Sequence, residues 1–481
     1  MKKITLITIM NFLIISCGKQ KENKITSENF FKAGTIQFTG KVKNFKLTDD
    51  RTLFISQYNV LTGEDEVSSI KINKDGKFEK IIPIYSPHEI TLKYKNKRTI
   101  LLVNYLDSLN FIFDVKNKTI ISGKGSNRNN LLQQYIESSY KIKNNYFDAI
   151  FGKEFELLLK EHSKTKRKLD SITDMIFLDK KPDSLLDIWI KTDKKTLKTY
   201  GFINYALKNE PFPTHFLSEK KIINDSDLNN INSYYNKSFT IDVFNLYIGA
   251  IVKGNRENFN KMRTLFKKGS YEEATNLLAD SIFKKYKNLG KDIVLYREFK
   301  QMTQKDLIRD DPNIDLLKRQ FLKKIKNEFI KTNILNESFK SNSAQKEKST
   351  INNSDNVLAD LIKKHEGKTL YVDISATWCG PCIAEFPYSV NLHESLKNEN
   401  IVFVYLFAKS NQDTWKKLST KYKLKGENLI ISDNQYNLLL SEYGINTGFP
   451  QYFIVDKNKE IKKNIKRPST TGMKEYLLKI L

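Results

Sequence analysis

Hydrophobic and polar positions change rhythm several times along this chain. After Met1-Lys2-Lys3, residues 4–15 form an apolar run broken only by threonines and Asn11. That length suits a signal-peptide core and is short for a membrane-spanning helix. Between 34 and 123 the apolar residues fall on alternate positions, as at Ile36, Phe38 and Val42, Leu53 and Ile55, and Ile70 and Ile72. Alternation predicts half-buried strands, and "RTILLV" and "LNFIFDV" add two more. Asp75-Gly76 lies between two such runs and predicts a tight hairpin turn, since both residues tolerate positive φ. The sum is an all-β, sandwich-like antiparallel module. From 124 to 339 the apolar spacing becomes three and four residues, as in "NLLQQYIESSY" and "YEEATNLLADSIFKKY". This is a helical region, and Pro211 and Pro213 divide it into several helices. His162, His215 and Trp189 lie here singly and read as packing or surface residues. Residues 340–356 are Ser/Asn-rich without apolar period, which predicts a flexible linker. From 357 to 481 helical and continuously apolar stretches alternate. "TLYVDIS" and "IVFVYLF" read as strands of a parallel sheet covered on both faces. The chain is thus expected to be multidomain: β module, helical region, then an α/β domain.

Cysteine usage sharpens this picture. There are 3 cysteines. Ile14-Ile15-Ser16-Cys17 resembles a lipobox, which predicts a lipoprotein signal peptide over 1–17, lipidation of Cys17 and a tether over 18–33. The mature protein is then expected in the cell envelope, outside the cytoplasm, held to a membrane by acyl chains. No cysteine remains for a structural disulfide beyond Cys379 and Cys382. The formal net charge of +26 could suit an anionic partner. No compact basic block with interleaved aromatics accompanies it, so nucleic acid is not expected as a partner.

The remaining chemistry sits in Trp378-Cys379-Gly380-Pro381-Cys382, between a strand and a helix. A dithiol needs two sulfurs close enough to close a small ring, and CxxC at a helix start provides this. The first sulfur faces unsatisfied N–H groups and the positive end of the helix dipole, so Cys379 is the expected nucleophile and Cys382 the resolving thiol. Pro381 pre-sets a helical φ, Gly380 permits close approach of a partner backbone, and Trp378 shields the sulfurs or packs beside them. A CxxC can also be half a zinc site. Cys17, His365 and His393 do not supply the missing ligands at suitable spacing, so no metal is expected. The redox-active disulfide is the only cofactor-like group the sequence calls for.

"VDISATWCGPCIAEFP" resembles the thioredoxin superfamily, most closely the TlpA/ResA-like envelope thiol oxidoreductases, including the Glu-x-Pro of Glu385 and Pro387. The resemblance covers about residues 355–481 and implies a thioredoxin fold. It also implies that Asp373 is the buried acid beneath the resolving cysteine, taking its proton. Phe449 and Pro450 then match the cis-proline segment that binds substrate backbone. Two departures stand out: Gln451 where the family has Thr, and a span from 445 to 450 one residue longer. The β module is also similar to the one that precedes TlpA-like domains in envelope lipoproteins of Gram-negative bacteria. By resemblance the function is reduction of disulfides in oxidised envelope proteins or apocytochrome c, with a membrane thiol reductase as electron donor. CGPC is similar to the reducing thioredoxins, near about −270 mV, more than to strong oxidants near about −120 mV. A disulfide oxidase or isomerase stays open. So does an envelope binding or assembly lipoprotein that uses the thioredoxin domain for docking.

Overall fold

The computed structural model describes residues 26–481 apart from 29, 50, 96, 115–117, 151–153, 224–227, 305–312, 337–355, 446–447 and 464. The segments expected to be a signal peptide with Cys17, most of the expected tether and nearly all of the expected linker therefore lie outside the described residues. Among those described, no helix is long and apolar enough to cross a membrane.

Eight strands build the N-terminal module: β1 (Gly34–Val42), β2 (Thr52–Asn59), β3 (Glu64–Lys71), β4 (Lys77–Ile84), β5 (His88–Tyr94), β6 (Lys97–Val103), β7 (Ser108–Phe113) and β8 (Ile120–Lys124). They form two four-stranded sheets, ordered β4-β1-β7-β8 and β3-β2-β5-β6. Phe38, Phe111, Ile55, Leu92 and Leu101 meet in the core between them, each at most 1% exposed. A fully buried side chain of this kind contributes about 1.5–3 kcal/mol. Two expectations need correction. The Asp75-Gly76 turn joins no hairpin, because β3 pairs with β2 while β4 pairs with β1. Gly76, at φ +75°, turns the chain from one sheet to the other instead. Local turn chemistry marks where a chain reverses and does not name the strand that receives it. The module is also not wholly antiparallel, since β1 and β7 run parallel.

Helices follow from Ser126–Ile150 to Glu328–Asn336 and share one large aromatic-rich core. They are fastened to the β module by buried polar contacts. Arg128 donates from one terminal nitrogen to Asp107 at 2.7 Å and from Nε to Asp183 at 2.7 Å. Trp189, one of the residues read as packing, is buried and donates its indole N–H to Glu89 of β5 at 2.8 Å. The His162 ring lies edge-on to Tyr146, and burial pushes its pKa down to about 4. His215 lies at the surface, 3.7 Å from Glu219.

The last region carries β9 (Thr369–Ser375), β10 (Ile401–Phe407), β11 (Glu427–Ile430), β12 (Gln451–Val455) and β13 (Ile461–Lys462) in the order β11-β10-β9-β12-β13. The parallel-sheet expectation holds for β9, β10 and β11, whereas β12 and β13 pair antiparallel. The sheet is mixed because β12, reached from β11 through the helix Asp433–Tyr443 and the Phe449–Pro450 segment, enters beside β9 in the opposite direction. All seven residues of β9 are buried, as a central strand with both faces covered requires. Leu370, Val372 and Ile374 face the helices Val357–Lys364 and Asp433–Tyr443. Tyr371 faces the helices Gly380–Ser395 and Met473–Leu478. Side chains alternate along a strand, so Asp373 shares the face of Tyr371, beneath the helix that starts at the CxxC.

Candidate active site around Cys379 and Cys382

Strand β9 ends at Ser375, and four residues later the helix Gly380–Ser395 begins with Cys379 as its N-cap. Cys379 and Cys382 are joined in a disulfide, their Cα atoms 5.3 Å apart. The Cys379 sulfur accepts the Cys382 backbone N–H at 3.2 Å, satisfying one of the donors left over at a helix start. Gly380 and Pro381 occupy the first two helical positions, where a missing proline N–H costs nothing. Pro387 lies inside the same helix. Cys379 is 5% exposed and Cys382 fully buried, so a partner sulfur has access only to the first.

Phe449 packs with both sulfurs and Ala376. Its peptide bond to Pro450 is cis. Trp378 is 66% exposed, meets the Phe449 ring edge-on at 5.7 Å, and donates its indole N–H to the Lys409 carbonyl at 2.9 Å. The structure thus gathers Trp378, Gly380, Pro381, Phe449 and Pro450 around the disulfide. Gln451 opens β12 immediately afterwards, in register with Ile374.

Beneath the helix, burial pushes the Asp373 carboxyl up to about 7, with Glu385 acting in the same direction and Ser375 against it. The Ser375 hydroxyl donates to one Asp373 oxygen at 2.5 Å, while the other oxygen, buried, has no partner among the described residues. Tyr405 and Tyr452 sit opposite Asp373 on the neighbouring strands. Glu385 is itself buried and accepts from the Ser469 N–H and hydroxyl, at 3.0 and 2.8 Å. An acid held near neutrality in a dry site can take or give a proton at ordinary pH.

Sequence reading missed the rest of the site entirely. The disulfide opens into a cleft of about 670 Å³ whose far wall comes from the β module and the helical region, through Phe54, Ser56, Thr91, Lys93, Arg98 and Lys237. These residues lie at least 140 positions from Cys379 and carry no local motif. Only the placement of the β module against the last domain reveals them.

Comparison with known proteins points to the same region of the chain. The redoxin family model matches residues 331–480. The thiol-disulfide oxidoreductase ResA of Bacillus thuringiensis subsp. konkukian is 28% identical over 120 residues, covering 25% of this chain and 67% of the relative. ResA of Geobacillus kaustophilus is 30% identical over 118 residues, covering 23% of this chain and 65% of that protein. Among solved structures, the thioredoxin domain of a Bacteroides vulgatus thiol-disulfide oxidoreductase is 21% identical at a TM-score of 0.23, covering 24% of this chain and 82% of its own. A thiol:disulfide interchange protein from Bacteroides sp. is also 21% identical, at a TM-score of 0.22, covering 24% and 76%. The matching family model and the ResA relatives both fall on the region that holds Cys379 and Cys382, and in that region the chain carries a redoxin domain similar to the TlpA/ResA-like thiol-disulfide oxidoreductases.

Proposed function

We propose that this thiol–disulfide oxidoreductase works as a reductase of protein disulfides in the cell envelope, anchored to a membrane through acylated Cys17. The observation that carries the chemistry is the Cys379–Cys382 disulfide, closed at a helix N-terminus with only the first sulfur accessible. In the reduced chain the Cys379 thiolate attacks one sulfur of a substrate disulfide. That S–S bond breaks, the substrate's other sulfur leaves as a thiolate, and a mixed disulfide forms on Cys379. Cys382 then gives its proton to Asp373 and attacks the Cys379 sulfur. The internal disulfide closes and the second substrate sulfur is released. Two electrons have passed to the substrate, and an external dithiol reductant restores the pair.

The reducing direction is supported by the Gly380-Pro381 dipeptide, which is that of the reducing thioredoxins. The ResA relatives support thiol–disulfide partners, and apocytochrome c-type substrates with a membrane thiol reductase as donor are the specific partners proposed. The envelope location rests on the lipobox-like sequence at Cys17. The test is a trap in the native cell with Cys382→Ser, which removes the resolving thiol. Discrete proteins should be captured on Cys379 and vanish when Cys379→Ser is added. An abundant, folded protein that captures nothing would refute the dithiol mechanism. A midpoint potential above about −180 mV would reverse the proposed direction.

A further inference from the structure

We infer that the outer face of the β3-β2-β5-β6 sheet, with Lys237 beside it, is the substrate-selecting wall of the disulfide site, and that it receives an extended polypeptide segment bearing carboxylates near its disulfide cysteine. The inference rests on the thiol–disulfide reading above and adds the class of substrate.

A sheet in a two-sheet module buries one face in its own core and normally leaves the other to solvent. Here the outer face is divided. Tyr58 and Leu102 pack into the core of the helical region. Val67 packs against the thioredoxin core, and the Ser69 hydroxyl donates to Glu442 at 3.0 Å. Between these two contacts the face is uncovered, and there it lines the disulfide cleft. Strand register places Phe54 opposite Lys93 and Ser56 opposite Thr91, two rungs of one ladder turned toward Cys379. Lys93 is held by Asp433 of the thioredoxin domain at 3.0 Å, which fixes the spacing of the walls.

The helical region adds Lys237 by an equally specific route. Its backbone N–H donates to half-buried Glu89 at 2.6 Å, its ammonium group contacts Asp65 at 2.6 Å, and it lies 5.8 Å from the Tyr58 ring centroid. All three regions of the chain therefore contribute to one cleft.

Its chemistry selects. Lys93, Arg98, Lys237 and Lys409 line it against Asp65 and Asp433, an excess of positive charge, while Phe54, Trp378 and Phe449 supply apolar surface. At about 670 Å³ the cleft has the volume of a ligand pocket, far below that of a folded domain. A segment of extended chain fits between these walls, whereas a compact protein would have to present its disulfide from outside them. The positive excess favours carboxylates beside the reacting cysteine.

The test uses the reduced full chain and three probes: hydroxyethyl disulfide, and two short peptides whose single cysteine is disulfide-linked to mercaptoethanol, flanked by Glu in one and Lys in the other. Each turnover oxidises the chain's dithiol and yields two thiols. The Glu-flanked peptide should react faster than its Lys-flanked counterpart, by about tenfold. Arg98→Glu combined with Lys409→Glu should invert that preference. Thr91→Trp, which narrows the cleft from the β-module side, should lower the rate of both peptides relative to that of hydroxyethyl disulfide, by about tenfold. Equal rates for the two wild-type peptides, or no effect of these variants on them, would overturn the inference while leaving the dithiol mechanism standing. A wild-type chain inert even toward hydroxyethyl disulfide would overturn the mechanism itself.

Discussion

Asp373→Asn tests whether the buried acid beneath the CxxC is held near neutrality by its surroundings. Burial raises its carboxyl from the ordinary 3.8 to about 7. A carboxyl whose folded pKa lies above its unfolded one stabilises the fold, relative to the ionised state, below the unfolded value. That contribution is lost as pH rises through the folded value. Across this interval the ionised form costs about 4 kcal/mol at full effect, reached above about pH 8. Asparagine copies the neutral acid: its carbonyl can accept from Ser375, and its amide takes the position of the oxygen that has no partner. The variant should therefore match the wild type below about pH 3.5, pull ahead of it between about pH 4 and 7, and hold a constant lead above about pH 8. Amide exchange over Thr369–Ser375 in the full oxidised chain reads this locally, without requiring the whole chain to unfold in one step. The same substitution should prolong the mixed disulfide about a hundredfold, because Cys382 loses its proton acceptor. In the wild type, resolution should quicken as pH rises through about 7; in the variant that rise should disappear. A stability difference independent of pH, or unchanged resolution, would refute the reasoning.

Three further outcomes follow from contacts elsewhere. Arg128→Met strands the buried Asp107 carboxylate without its cation and should cost about 3–5 kcal/mol in denaturant titration, with Asp107→Asn restoring part of the loss. Gly426→Ala should lower the thermal midpoint: φ is +109° there, and a Cβ would stand 2.3 Å from the Phe403 carbonyl, a cost of about 2–3 kcal/mol or more. Trp378→Ala should leave the fold intact, since the side chain is 66% exposed, yet raise the rate at which an external thiol reduces the disulfide, measured by thiol trapping.

Legibility in the sequence followed the range of the interactions involved. The redox pair was readable because its parts are contiguous: a buried strand, Cys379 at the helix cap, Pro381 in the first turn. Each answers to local chemistry. The structure shows the same local logic in the helix Asp433–Tyr443, which starts at a Ser432/Gln435 capping box and ends at a left-handed Gly444. What local pattern could not supply was partnership. Period two at Ile70-Ile72 announces a strand but not its neighbour, so the turn at Gly76 was legible and the sheet crossing was not. The antiparallel return of β12 beside β9 was hidden for the same reason, because pairing is decided by the whole sheet.

The same limit accounts for the cleft. Phe54, Thr91 and Lys93 read as ordinary outward positions of half-buried strands, and on an isolated module they would be so. They acquire a role only because Glu442 and Asp433, some 340 to 373 residues later, bind Ser69 and Lys93 and bring the disulfide opposite them. A thiol–disulfide exchange centre needs little more than its strand, its CxxC and its helix to react. It needs a second surface to choose among disulfides, since the sulfur chemistry is common to all of them. In this chain that surface is built from the two regions with no redox motif, so their length is accounted for by selection and not by chemistry.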